Sequence, residues 1–151
     1  MKHVKKSVLL WYTPREMHDL VTAIPRYPEF LPWCDRAEVL ETHEDGVTAR
    51  VGLSIAGVRQ SFSTRNTHEG HERVAMRLVD GPFSVLEGDW TFLPLAAGPG
   101  QAPQACKVEF ELHYAFSSAA LEAVVSPVFD RIAATFVDSF VKRAEVVYGP
   151  R

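Results

Sequence analysis

From Ser126 to Tyr148 the chain keeps a helical period almost without interruption, and that stretch constrains the fold more than any other. Val128, Phe129, Ile132, Phe136, Phe140, Ala144 and Val147 recur on one face, while Asp130, Arg131, Asp138, Lys142 and Glu145 fall on the other. Ser126 reads as the N-cap and Pro127 as the first helical residue, with Ser117 and Ser118 capping a separate short lead-in through Val125. A helix from Pro127 to Tyr148 is roughly 33 Å long, enough to cross a small domain. Its apolar stripe must face inward, so the helix should form the axis of the fold.

What it packs against is legible upstream, where the period switches to two. Ala37 and Val39, then Ala49, Val51, Leu53 and Ile55, then Val74, Met76 and Leu78, then Leu86, Trp90 and Phe92 alternate with polar or small residues. The last such run is the clearest, with Val108, Phe110, Leu112, Tyr114 and Phe116 separated by Lys107, Glu109, Glu111 and His113. Turn signals at Glu44-Asp45-Gly46, Ala56-Gly57, Glu69-Gly70-His71 and Asp80-Gly81-Pro82 are short, and short connections require antiparallel neighbours. Before these strands, His3 to Tyr12 reads as a first strand. Thr13, Pro14 and Glu16 then announce a helix to about Ile24, and Pro25, Pro28 and Pro32 leave room for one more helical turn, over Tyr27 to Leu31. The expected class is α+β: a curved antiparallel sheet of about seven strands wrapped around a long C-terminal helix, with two short helices after strand 1.

A chain of 151 residues with 46% hydrophobic composition is read as one domain spanning residues 1–151, long enough to bury a substantial core. The formal charge of -3 weighs against DNA or any other polyanion as its main partner. Lys2, His3, Lys5 and Lys6 resemble the start of a signal peptide, but the apolar run Val8 to Tyr12 is too short and meets Pro14, Arg15 and Glu16. The uncharged stretch Trp90 to Cys106 holds three prolines and two glycines, so it reads as a strand end and a loop rather than a membrane span. A cytoplasmic location follows as the expectation, with peripheral contact at the inner membrane allowed. Cys34 and Cys106 are far apart and belong to no closely spaced pair, so they are read as buried reduced thiols.

Three segments carry a resemblance: Tyr27-Pro28-Glu29-Phe30-Leu31-Pro32-Trp33-Cys34, then Gly81-Pro82-Phe83 with Leu86, Gly88 and Trp90, then Phe136-Val137, Phe140-Val141, Arg143-Ala144 and Tyr148-Gly149. Together they resemble the coenzyme Q-binding START-like family, of the polyketide cyclase/dehydrase and lipid transport group within the Bet v 1-like helix-grip superfamily. That family includes the bacterial ribosome association toxins called RatA. The resemblance implies a helix-grip fold with a cavity between sheet and C-terminal helix. For the mitochondrial relatives it implies binding of ubiquinone in support of respiration.

The candidate ligand-binding cavity is drawn from inward positions: Phe30, Trp33, Leu53, Ile55, Gln60, Phe62, Met76, Phe83, Trp90, Phe116, Phe129, Ile132 and Phe136. If Val58 and Phe62 face the helix, so do Gln60 and Thr64, and if Met76 and Leu78 do, so does Asp80. Thr64, Asp80 and Arg143 are placed as polar groups at the cavity mouth, with Arg143 paired to a sheet carboxylate such as Asp80 or snorkelling outward. His68 and His71 lie three apart across a glycine turn with no third ligand spaced nearby, which does not make a zinc site. No nucleophile elbow or phosphate loop is present, and Glu87, Asp89, Glu109 and Glu111 read as solvated sheet surface.

Neither a catalytic residue nor a metal or other cofactor is therefore expected. The first reading is a non-enzymatic protein that sequesters or delivers a hydrophobic small molecule such as ubiquinone, which would be a bound ligand rather than a cofactor. Burial of a prenyl chain, at ~25 cal/mol per Å² of apolar surface, needs no catalytic group. Two alternatives stand beside it: a RatA-type toxin that binds the large ribosomal subunit and blocks subunit association, and a polyketide cyclase-like enzyme whose acid or base would be Asp80.

Overall fold

The computed structural model describes residues 1–96 and 98–151. Ala97, within the expected loop, lies outside the described residues. Strand β1 (Lys2–Leu10) leads into helix α1 (Pro14–Thr22) and a 3-10 turn (Ile24–Glu29). Six strands follow, β2 (Cys34–His43), β3 (Gly46–Ile55), β4 (Val58–Glu69), β5 (Arg73–Asp80), β6 (Phe83–Leu95) and β7 (Ala105–Phe116), and the chain closes with helix α2 (Ala119–Tyr148). All seven strands form one antiparallel sheet in the order β1-β7-β6-β5-β4-β3-β2. The α+β architecture expected from the two periods is the one observed, and it is the helix-grip fold that the resemblance implies.

Local chemistry sets the element ends. The Thr13 hydroxyl accepts from the Glu16 amide at 3.1 Å while the Glu16 carboxylate accepts from the Thr13 amide at 3.0 Å, a complete capping box with Pro14 behind it. Between Ile55 and Val58 the chain turns through Ala56 (φ 51°) and Gly57 (φ 81°), the paired positive φ values that a two-residue hairpin demands. The second short helix sits at Ile24–Glu29, three residues earlier than the turn expected at Tyr27 to Leu31, because Pro25 takes an early helical position and Phe30 closes the turn.

Helix α2 departs from expectation at its start. It is one continuous helix of 30 residues, roughly 45 Å long, capped by the Ser118 hydroxyl accepting from the Leu121 amide at 3.2 Å. Pro127 lies inside it rather than at its beginning, and Ser126 is a buried helical residue rather than a cap. Pro127 is exposed, so its ring meets solvent rather than the sheet, and the tertiary packing on either side holds the helix through it. The buried face runs through Val125, Phe129, Ile132, Ala133, Val137, Phe140 and Ala144, while Val147 is 48% exposed and leaves the stripe.

Candidate functional site

Between the concave face of the sheet and α2 lies a cavity of about 70 Å³. The chain leaves it by putting small residues where large ones are expected. Gly88 in β6 pairs with Met76 and Leu112, and a Cβ there would stand 2.6 Å from the Met76 methyl and 3.4 Å from Leu112. Ala49 and Ala133 thin the walls contributed by β3 and α2. Aromatic and branched side chains complete the lining: Tyr27, Trp33, Phe62, Phe110, Phe129, Phe136, Ile24, Val51, Leu86, Leu112 and Ile132.

Seven of the sixteen expected residues therefore line the cavity: Trp33, Phe62, Thr64, Met76, Phe129, Ile132 and Phe136. The other nine lie elsewhere. Phe83 stacks on Phe116 with centroids 5.2 Å apart, and both meet the Phe129 ring edge-on, so this pair forms an aromatic wall behind the lining. Trp90, two residues along β6 from Gly88 on the same face, is fully buried beside the lining, 4.6 Å from Phe110 and 5.7 Å from Phe136 between centroids. Leu53, Ile55 and Gln60 share the inward face but sit toward the β3–β4 hairpin, past the end of the void. Phe30 packs edge-on against Tyr27 and Phe140.

Asp80 and Arg143 are corrections of a different kind. Registers Ser63↔Asp80 and Thr64↔Leu78 leave Val79 as an extra residue, a β-bulge that breaks the alternation and puts Asp80 on the surface. Arg143 pairs not with Asp80 but with Glu29, at 2.8 Å, while its guanidinium lies 5.1 Å above the Phe30 ring. It clamps α2 to the 3-10 turn on the outside of the cavity.

The polar content of the cavity reduces to very little. Thr64 and Asn66 are buried neighbours on the inward face of β4, the threonine hydroxyl donating to Asn66 Oδ1 at 2.8 Å. The Tyr27 hydroxyl is occupied by the Val21 carbonyl, and burial holds the phenol well above its ordinary pKa. Among the described residues no carboxylate, histidine, lysine or arginine lines the cavity. Both cysteines are buried and free, and burial pushes their thiols up to about 11, so neither is an activated nucleophile.

Sequence reasoning missed Ala49, Val51, Leu86, Phe110 and Leu112 although their alternation marks them inward; the pattern gives a face but not the position of a void along it. Ile24 and Tyr27 come from the 3-10 turn, which has no period to read. Gly88 offers no side chain to signal, and Asn66 continues the Gln60, Phe62, Thr64 alternation one step further. Asp130, assigned to the solvent side of α2, instead accepts from the Tyr114 hydroxyl at 2.5 Å and from Lys2 and Ser126. Burial pushes its carboxyl up, but the hydrogen bonds from Lys2 and Tyr114 outweigh that and hold it below the usual range.

The sequence model of the family described as polyketide cyclase / dehydrase and lipid transport matches residues 10–141. A ribosome association toxin RatA from Vibrio cholerae is 40% identical over 149 residues, covering 99% of each chain. The mitochondrial coenzyme Q-binding protein COQ10 homolog B from Xenopus laevis is 27% identical over 145 residues, covering 95% of this chain and 58% of that one. Among solved structures, the Zhui aromatase/cyclase from a Streptomyces species superposes with a TM-score of 0.79 over 99% of both chains at 14% identity, a likeness of fold.

Proposed function

This chain belongs to the polyketide cyclase/dehydrase and lipid transport family, and from that premise we propose that it is a non-enzymatic binding protein whose cavity receives an isoprenoid quinone or similar lipid in support of respiration. The observation that carries the reading is the lining itself: an apolar enclosure between sheet and helix with one buried polar pair, Thr64 and Asn66. Such a site binds by removing apolar surface from water and orients its ligand by one or two hydrogen bonds, here to a quinone carbonyl or ring substituent. The coenzyme Q-binding relative, aligned over nearly the whole of this chain, supports the same ligand class.

A volume of about 70 Å³ is well below the ~300–1,000 Å³ of ligand pockets, so the closed form must widen to admit a ring. Met76, half-buried and flexible, is the lining side chain best suited to yield. The cyclase alternative nominates Asp80 as its acid, and Asp80 lies on the surface; among the described residues no other carboxylate lines the cavity.

Calorimetric titration with a short-chain ubiquinone tests the reading. The parent protein should bind one equivalent, and Gly88→Val, whose Cβ would meet the flexible end of Met76 at 2.6 Å and drive it into the void, should weaken binding at least tenfold while the domain stays folded. Unchanged affinity in a folded Gly88→Val protein would remove the cavity from the account.

The RatA-type reading is the second, favoured by the 40% identity to a ribosome association toxin over the full chain. Its surface would be the outer face of β3–β5, where Arg50, Arg65, Arg73 and Arg77 lie and Arg65 directly opposes Arg77. Each has an acidic neighbour, Glu38, Asp45 or Asp89, that an RNA phosphate would have to displace. Cosedimentation with large ribosomal subunits that falls steeply with salt and is lost in Arg65→Glu/Arg77→Glu supports this reading; its absence at low salt excludes it.

A further inference from the structure

We propose that the outer face of β1 and β7 holds one divalent cation of the zinc class, bound by His3, Glu111 and His113. The observation is convergence. His3 and His113 are directly opposed across the antiparallel pair, and their rings stack at 4.2 Å between centroids with planes 4° apart. Both Nε2 atoms point at the same carboxylate oxygen, Glu111 Oε1, at 3.3 Å from His3 and 2.9 Å from His113. The three donor atoms all lie within 4.8 Å of one another.

Two imidazole nitrogens and one carboxylate oxygen are a ligand set that zinc accepts, leaving a fourth position to water. The backbone asks for no rearrangement, because opposed residues of an antiparallel pair already bring their Cβ atoms to roughly 5 Å. Glu87, across from His113 on β6, adds negative charge beside the site, whereas Asp89, across from Glu111, is already paired with Arg73 and Arg77. Lys5, opposite Glu111, is a competing positive charge that the metal would have to overcome. The alternation that sends His3 outward sends its neighbour Lys2 inward to Ser126 and Asp130 of α2. A cation joining β1 to β7 would therefore fix the edge strand that anchors the helix over the cavity. This site does not depend on the cavity's ligand.

The test is titration of the whole chain with zinc chloride, and with cobalt chloride for its visible spectrum. One equivalent should bind, cobalt should give the absorption of a four-coordinate site, and zinc should raise the melting temperature. His3→Ala and His113→Ala should each weaken binding at least tenfold and abolish the zinc-dependent rise in melting temperature; metal-free melts confirm that these half-exposed positions leave the fold intact. Glu111→Gln should weaken binding less. His71→Ala is the control, since the rings of His68 and His71 lie 5.5 and 5.2 Å from that of buried His18 without gathering their donor atoms as closely. No stoichiometric uptake, uptake that survives in the His3→Ala/His113→Ala protein, or uptake lost with His71→Ala would each overturn the proposal.

Discussion

Asn66 concentrates the polar recognition that the cavity can offer, since Thr64 already spends its hydroxyl proton on it. Asn66→Ala should therefore lower affinity for a short-chain ubiquinone by about tenfold, the value of one hydrogen bond in a dry site, with little loss of fold; calorimetry reads it directly. His18 makes a second residue-scale prediction. It is 6% exposed, neither ring nitrogen has a hydrogen-bond partner among the described residues, and burial, with smaller contributions from His68 and His71, lowers its pKa to about 4. Between the unfolded value near 6.5 and that folded value the unfolded chain binds more protons, so stability rises with pH across the window and is lost as pH falls through it. From pH 7 to 5 the loss should be on the order of 2 kcal/mol in urea unfolding, and His18→Phe should flatten most of that slope. At this scale alternation along β4 puts Thr64 on the inward face, where the structure buries it beside Asn66 rather than at the cavity mouth, while the same kind of count along β5 misplaces Asp80, because the bulge at Val79 is a conformational event that two-residue alternation cannot announce. His18 next to His68 and His71 is likewise a product of the fold alone: α1 meets the β4–β5 hairpin only once the sheet is built.

At the scale of elements, α2 shows both the reach and the limit of pattern reading. Its apolar stripe gave the helix its place, yet Ser126 and Pro127 form such a good start signal that the helix was expected to begin there. The tertiary contacts of Val125 and Phe129 on either side override that signal. Pro127 consequently forgoes a backbone hydrogen bond at an exposed position, and Pro127→Ala should stabilise the protein by roughly 1–3 kcal/mol in equilibrium unfolding. Strand β1 is the counterpart. Lysines stand on both sides of its alternation, which makes the two faces hard to separate by pattern; the structure divides them, with Val4 and Val8 packed against the core and His3, Lys5 and Ser7 outward. Lys2 and Lys6 reach α2 at Asp130 and Asp138, so this edge strand ties the sheet to the helix by charge as well as by packing.

For the whole molecule, two hydrophobic periods and the turn chemistry were enough to specify the layers, because the central strands β3, β4, β6 and β7 each bury one face and one helix must cover it. They were not enough to locate the void. A cavity is set by where volume is missing, at Gly88, Ala49 and Ala133, and small residues are silent in a pattern built on large ones. On the proposed function, this enclosure holds an apolar ligand in the working protein. Native mass spectrometry of the protein purified gently from the organism that encodes it, followed by lipid extraction, tests it most directly. A bound isoprenoid quinone or similar lipid, at up to one per chain and depleted in Gly88→Val, is the expected result; ligand-free protein, or equal lipid in both proteins, would rule out the enclosure as a lipid site.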